Sequence, residues 1–422
     1  METLQNSDSH TSDLKSEYAL GKSNTPLERN KNESAETILQ AAIDLSTTIK
    51  DAREEMDKER RLPNHLINEL KKAGVFRMTM PKDWGGAQLD PISQLKIIEA
   101  LSQADASVGW CVMVGCDSGL FSGFIDQSVA RQMYSDVNSI TASALTTTGR
   151  AVKVKDGYRV SGRMPFSSGC HHSDWFVLGC QVYDGDTPQL MPDGTPVTRQ
   201  CFLPADAITI LDTWNTLGLR GTGSNDLVVD NYFVAEEQSF SYQEIKCFRK
   251  GALYQFPMNI LLNFSSVPIG VAQAALDSFT EHGSKPSRLM TIQGKIVPQR
   301  SLREEGFVQD TVGRAAAKLG SARAYLYTSI GDLWDSLESG KEPSVQELTN
   351  FQLVHTYVFE TCVEVVQMVY KIRGGTAVYS GNDLDRCFRD IVTMNQHVVN
   401  SLRAFTSGGQ AILGLPPEQI LL

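Results

Sequence analysis

The order of hydrophobic periods along the 422-residue chain predicts a mainly α protein with a central β domain. Three observations carry this prediction. Apolar residues recur at spacings of three and four in residues 34–137, they alternate with polar residues through 138–242, and the helical period returns in long segments across 243–422. This order contains no repeated β-α alternation, which argues against a doubly wound nucleotide-binding sheet.

Residues 1–33 are polar and rich in Ser, Asn, Lys and Glu, the composition of a disordered tail. In the N-terminal helical domain, Ile38, Leu39, Ala42, Ile43, Leu45 and Ile49 mark one face of a single amphipathic helix, followed by a charged run to Arg61. Pro63 suits the first turn of a second helix; Leu66, Leu70 and Ala73 form its apolar face, and Gly74 supplies its left-handed stop. A further helix runs through Leu95, Ile98 and Leu101. In the β domain, the Asp156-Gly157 turn makes a hairpin of Ala151–Val160, and Trp175–Val182, Thr198–Phe202 and Leu227–Val234 read as strands. The segments Val308–Leu333 and Val345–Ile372 are long helices with few breakers, as a C-terminal bundle requires.

The formal net charge of −10, with no long basic stripe, argues against nucleic acid or an anionic membrane as the main partner. The eight cysteines contain no Cys-x-x-Cys pair, so reduced thiols in a cytoplasmic protein are expected. His171 and His172, placed on a strand, would point to opposite faces without a third ligand, so no metal is expected. The N-terminus carries no basic-then-apolar leader, and no apolar stretch reads as long enough to cross a bilayer. No Gly-x-Gly-x-x-Gly follows a strand and opens a helix, so no nicotinamide site is expected.

Several segments, in this order, resemble the acyl-CoA dehydrogenase superfamily. They are Met80-Pro81-Lys82-Asp83-Trp84-Gly85-Gly86 after a helix, Gly218-Leu219-Arg220-Gly221-Thr222-Gly223-Ser224-Asn225, and Gly374-Gly375 followed by Arg386-Cys387-Phe388-Arg389-Asp390. The resemblance covers about residues 36–417 and implies an N-terminal helical domain, a β-barrel-like middle domain and a C-terminal four-helix bundle. Arg386, Arg389 and Asp390 suit either the chemistry or a structural ion-pair group. The family's dehydrogenases use a glutamate base shortly after the Arg-Asp pair or on an earlier helix. Here the first place reads Met394-Asn395-Gln396-His397-Val398-Val399, and Tyr254–Leu276 contains no Asp or Glu. Abstraction of a proton from carbon needs an aimed base, so ordinary dehydrogenation loses its central residue.

Two motifs resemble instead the group D flavin-dependent monooxygenases of the superfamily, which include the oxygenase component of 4-hydroxyphenylacetate 3-hydroxylase, a steroid-ring hydroxylase and dibenzothiophene monooxygenase. Phe166-Ser167-Ser168-Gly169 resembles the subgroup's Ser-Ser-Gly segment beside the flavin ring, which implies a hydrogen bond between Ser168 and flavin N5; His397 matches its histidine. By that resemblance His397 holds a peroxide oxygen, assists its protonation, or deprotonates a phenol. Trp110 matches an aromatic position that packs on flavin or substrate, Ser143 falls where polar contacts to flavin occur, and Gly374-Gly375 lets backbone approach the cofactor. Where the 4-hydroxyphenylacetate enzyme carries a substrate histidine, this chain has Cys116-Asp117-Ser118, so that substrate is not implied. The implied function is hydroxylation of a small aromatic substrate through a C4a-hydroperoxyflavin, with O2 and reduced FMN or FAD from a separate NAD(P)H-dependent flavin reductase. The implied assembly is a homotetramer. Two alternatives stay open: a dehydrogenase acting on an acyl thioester with a relocated base, and a catalytically silent flavin-binding protein.

Overall fold

The computed structural model describes residues 34–256, 258–282, 291–292, 295–296 and 301–416, so the expected tail at 1–33 lies outside the described residues. The first amphipathic run is divided into α1 (Ala35–Asp44), α2 (Ser46–Asp51) and α3 (Arg53–Glu59). These abut through Leu45 and Ala52, which keep right-handed helical backbone, so the single expected helix keeps its path and breaks register twice. Pro63 caps α4 (Asn64–Lys72) from just outside its first turn, and Gly74 at φ 84° supplies the stop. Next come α5 (Pro91–Ala104), α6 (Ala106–Gly115), α7 (Ser118–Phe121) and α8 (Gln127–Met133). A Cβ on Gly109 would lie 1.9 Å from Ser102 Oγ, so only glycine lets α6 approach α5 this closely.

The middle of the chain forms β1 (Thr141–Val154), β2 (Gly157–Ser167), β3 (Trp175–Asp184), β4 (Thr187–Pro188), β5 (Thr198–Pro204), β6 (Thr209–Leu211), β7 (Asn225–Ala235) and β8 (Ser239–Phe240). They pair in the order β6-β7-β2-β1-β3-β5-β8, with β4 on β3. The predicted hairpin is the β1–β2 pair, in register Val154 to Gly157 across a turn where Asp156 adopts φ 62°. The β1–β3 pair is parallel and the other strand pairs are antiparallel. The barrel-like middle thus takes the form of one mixed sheet whose end strands, β6 and β8, are not paired with each other among the described residues.

The helical period then returns as α9 (Ala252–Gln255), α10 (Ser266–His282), α11 (Gly306–Glu338), α12 (Val345–Arg373), α13 (Asp383–Met394) and α14 (Arg403–Ile412). A capping box between Ser344 and Glu347 starts α12, satisfying amide donors that the first turn cannot. One apolar core runs from Ile38 through Trp110 and Phe264 to Met394, so the N-terminal helices and the bundle share an interior; the sheet has a second core around Val160, Leu178 and Val229. The segment Asn259–Glu281 corrects one expectation, because it is apolar and long enough to cross a bilayer. Its apolar surface is instead spent inside the bundle, where most of it is buried.

A buried ion-pair group ties the three parts together. Arg386 on α13 donates from Nε to Asp105 Oδ2 at 2.6 Å and from Nη1 to Asp57 Oδ2 at 2.8 Å. Asp105 also caps α6, accepting from the amides of Ser107 and Val108 at 2.9 and 3.3 Å. One turn after Arg386, Asp390 Oδ1 accepts the Leu219 amide at 2.6 Å. A Cβ on Gly218 would fall 2.1 Å from the Arg389 carbonyl oxygen, so glycine is required for this loop to seat on α13. Burial pulls the Arg386 pKa down, but Asp105, Asp390 and Asp57 reverse this and keep the guanidinium charged.

Removing one member of a buried pair strands the other, at a cost of about 3–5 kcal/mol. Arg386→Met should therefore lower the urea midpoint markedly, whereas Arg314→Met, which breaks an exposed pair with Asp310 on α11, should leave it unmoved.

Candidate active site

Three residues singled out in the sequence meet where the helices, the sheet and the bundle join. Trp110, buried on α6, donates from its indole nitrogen to Ser168 Oγ at 3.0 Å. Its ring lies edge-on to the His397 imidazole, with centroids 5.4 Å apart. Phe264, just before α10, completes the group at 5.4 Å from Trp110 and 4.9 Å from His397.

Each side chain is placed by its local backbone. The Asp105 cap fixes the start of α6 and thereby the azimuth of Trp110 one turn later. Ser168 follows β2 in a turn entered through Phe166 at φ 65° and left through Gly169 at φ 77°. Left-handed backbone at a bulky residue costs roughly 1–3 kcal/mol, and here it turns Phe166 outward to 70% exposure while Ser167 stays buried. His397 lies just beyond α13, where its amide bonds to the Met394 carbonyl at 3.1 Å.

The Ser168 hydroxyl belongs to a chain of oxygens. Ser168 Oγ lies 2.7 Å from Ser224 Oγ, Ser224 Oγ lies 2.6 Å from Thr222 Oγ1, and Thr222 donates to the Leu219 carbonyl at 2.8 Å. Ser224 and Thr222 come from the Gly218–Asn225 loop seated on α13; the sequence flagged that loop without assigning either hydroxyl to the site.

The imidazoles here are neutral. The Val399 amide donates to His397 Nδ1 at 3.3 Å, so the uncharged ring carries its proton on Nε2. Burial against the aromatic wall pushes its pKa down to about 4. A second imidazole, His355 on α12, was not anticipated. It is fully buried, pairs through Nδ1 with Ser265 Oγ at 2.7 Å, and lies 6.4 Å from the same Phe264 ring. Burial drives His355 down to about 3, and its Nε2 has no partner. Asp117, in the turn between α6 and α7, is buried, and burial pushes its carboxyl well above the usual range. Neither environment is legible in the sequence, because both depend on what distant segments cover.

Other expectations fare differently. Asp390, the one carboxylate between Arg389 and Gln410, is committed to Leu219 and the Arg386 group, so it is not an aimed base. Among the described residues no carboxylate hydrogen-bonds to the side chains of Ser168, Trp110 or His397; their partners are Ser224, Phe264, Val399 and one another. Ser143 is half-buried on β1 opposite Val177 and makes no bond to Ser168 or Trp110. Gly374 and Gly375 cap α12 in the open: both are exposed, and among the described residues a Cβ on either would meet nothing. His171 and His172 are on a one-turn 3-10 helix, not a strand. His171 Nε2 lies 2.9 Å from Asn225 Nδ2, while both ring nitrogens of His172 are buried without a partner. Among the described residues no three His, Cys, Asp or Glu side chains are grouped to hold a metal ion.

A half-exposed hydroxyl at the edge of an aromatic wall, flanked by a flat indole and a neutral imidazole, fits the polar edge and flat face of a tricyclic ring such as flavin. The fold and this carboxylate-free site define an acyl-CoA dehydrogenase scaffold with a different reactive centre. Residues 32–128 match the acyl-CoA dehydrogenase N-terminal domain and residues 262–402 its C-terminal domain, and the chain belongs to that superfamily. It is 28% identical to the indole-3-acetate monooxygenase of Acinetobacter baumannii, across 89% of this chain and 95% of the relative. It is 27% identical to the flavin-dependent monooxygenase oxygenase subunit HsaA of Mycobacterium tuberculosis, across 92% and 98%. The crystal structure of the M. tuberculosis HsaA monooxygenase superposes with a TM-score of 0.83 at 24% identity, covering 92% of this chain and 100% of that one. TdsC of Paenibacillus, solved with FMN and indole, gives 0.74 at 18%, covering 91% and 99%. At these identities the superpositions speak to the fold.

The depressed His355 pKa makes stability depend on pH. The unfolded imidazole titrates near 6.5 and the folded one near 3, so its contribution is full above pH 6.5 and is lost as pH falls through that window. Urea unfolding of His355→Leu between pH 6 and 4 should show a pH slope shallower than the parent's by about 1.4 kcal/mol per pH unit.

Proposed function

We propose that this chain is the oxygenase component of a two-component flavin-dependent monooxygenase that hydroxylates a small aromatic substrate. The observation that carries the reading is the Trp110–Ser168–His397 group: a neutral, aromatic site with no carboxylate where a dehydrogenase of this scaffold needs one. Its relatives in A. baumannii and M. tuberculosis bear monooxygenase names, which supports the same reading.

Reduced FMN or FAD, supplied by a separate NAD(P)H-dependent flavin reductase, brings the electrons that activate O2 when bound. The chain's own residues do the rest. Ser168 would hydrogen-bond flavin N5, Trp110 would pack against the flavin or the substrate, and Ser143 and the Gly374-Gly375 turn would also contact the cofactor. His397 would donate a hydrogen bond from its Nε2–H to oxygen or to a substrate hydroxyl. An imidazole held near 4 stays neutral at physiological pH and is a weak base, which favours a hydrogen bond from its Nε2–H over deprotonation of a phenol. Trp110 and Phe264 keep water from the reacting atoms, which limits wasteful release of peroxide. We further propose a cytoplasmic homotetramer. Exposed apolar side chains near the C-terminal end, Val398, Leu402, Ile412, Leu413 and Leu415, offer surface for a second copy.

Turnover with a flavin reductase, NADH and a panel of phenols and indoles tests this by counting oxygenated product against hydrogen peroxide. Ser168→Ala and His397→Ala should each keep the fold by circular dichroism and cut product per NADH about tenfold, the worth of one hydrogen bond of roughly 1.4 kcal/mol. Undiminished coupling in both variants would remove the site assignment, and anaerobic reduction of bound flavin by an acyl-CoA would restore dehydrogenation.

A further inference from the structure

The oxygen chain behind Ser168 leaves its proton a single place to go. A carbonyl cannot donate, so the 2.8 Å contact with the Leu219 oxygen, which also accepts the Trp214 indole nitrogen at 2.9 Å and the Thr222 amide at 3.1 Å, carries the Thr222 hydroxyl hydrogen. Thr222 is then an acceptor toward Ser224, and the 2.6 Å contact between them must carry the Ser224 hydrogen. Ser224 is in turn an acceptor toward Ser168, so the 2.7 Å contact carries the Ser168 hydrogen. From the other side, the Trp110 indole nitrogen has only a hydrogen to give, and it occupies one lone pair of Ser168 at 3.0 Å. What Ser168 keeps for a ligand is one lone pair. Thr222 and Ser224 are 1% and 4% exposed, so water does not exchange into the chain and reverse it.

The two redox states of flavin present opposite partners at N5. The reduced ring carries an N5–H and needs an acceptor, whereas the oxidised ring carries a bare lone pair and needs a donor. We propose that Thr222 and Ser224 are positioning residues that hold the Ser168 hydroxyl as an acceptor and so make the site select reduced over oxidised flavin. This rests on the reading above that Ser168 meets N5. The arrangement suits a protein that must capture its cofactor reduced and let it go oxidised. It also links selection to the scaffold, because the chain ends on the carbonyl of Leu219, whose amide is held by Asp390.

The test is equilibrium binding to the flavin-free protein. FMN is titrated by fluorescence quenching, photoreduced FMN is titrated anaerobically by calorimetry, and the ratio of the two dissociation constants is the readout. The parent protein should favour reduced FMN. Thr222→Val and Ser224→Ala each free the Ser168 hydrogen to turn toward the ligand, so each should shrink the ratio about tenfold, mainly by tightening oxidised FMN, as expected for one hydrogen bond gained. Thr222→Ser keeps the hydroxyl and should restore the parent ratio, which separates direction-setting from simple loss of packing. A parent ratio near one would overturn the proposal. So would an unchanged ratio in Thr222→Val and Ser224→Ala while Ser168→Ala shifts it; that outcome leaves Ser168 at the flavin and removes only the direction-setting role. If Ser168→Ala also changes neither constant, the placement of Ser168 fails, and the proposed site fails with it.

Discussion

The Asp105–Arg386 contact is the constraint on which the rest depends. Asp105 uses one oxygen to start α6 and the other to receive Arg386, so the helix bearing Trp110 and the helix leading to His397 share one carboxylate. Asp390, one turn later, holds the Leu219 amide and with it the loop that carries Thr222 and Ser224. Charges this buried contribute little net stability when paired, because desolvation offsets most of their attraction. Their effect is to make alternative arrangements of the three parts costly, which is what a site drawn from all three requires.

A second theme is neutrality. The imidazoles of His355 and His397 are uncharged at physiological pH, and the Asp117 carboxyl is pushed toward its protonated form by the same desolvation. Inside such a wall each hydrogen bond gains strength, and each polar group left alone becomes expensive. Direction then matters more than charge. The indole of Trp110 can only give, the carbonyl of Leu219 can only take, and the hydroxyls between them inherit an orientation from those two ends.

Much of the architecture was legible in the sequence, for a physical reason: helix and strand periods are local. Ala151–Val160, Trp175–Val182 and Val345–Ile372 all fall inside elements of the expected kind. Short strands such as β6 and β8 escaped notice because two or three residues cannot show a period. His171 and His172 misled because their neighbours read as extended, whereas Gly169 turns the backbone left-handed just before them. At the site, Trp110, Ser168 and His397 were visible only through resemblance, and their meeting required coordinates. His355, Ser224 and the Asp105 link were not legible, since each depends on pairing between residues far apart in the chain. Gly374-Gly375 shows the converse: a familiar dipeptide that, among the described residues, has open surroundings.

The non-local build of the site bears on how the protein is made. Trp110 and Ser168 are synthesised long before α13, yet neither Arg386 nor His397 exists until that late helix emerges. A ribosome-bound or prematurely ended product therefore has its sheet and early helices without the closing wall. Such a fragment lacks both the Arg386 tie and the His397 ring, so the group that Trp110 and Ser168 form with His397 assembles only once the chain is nearly finished.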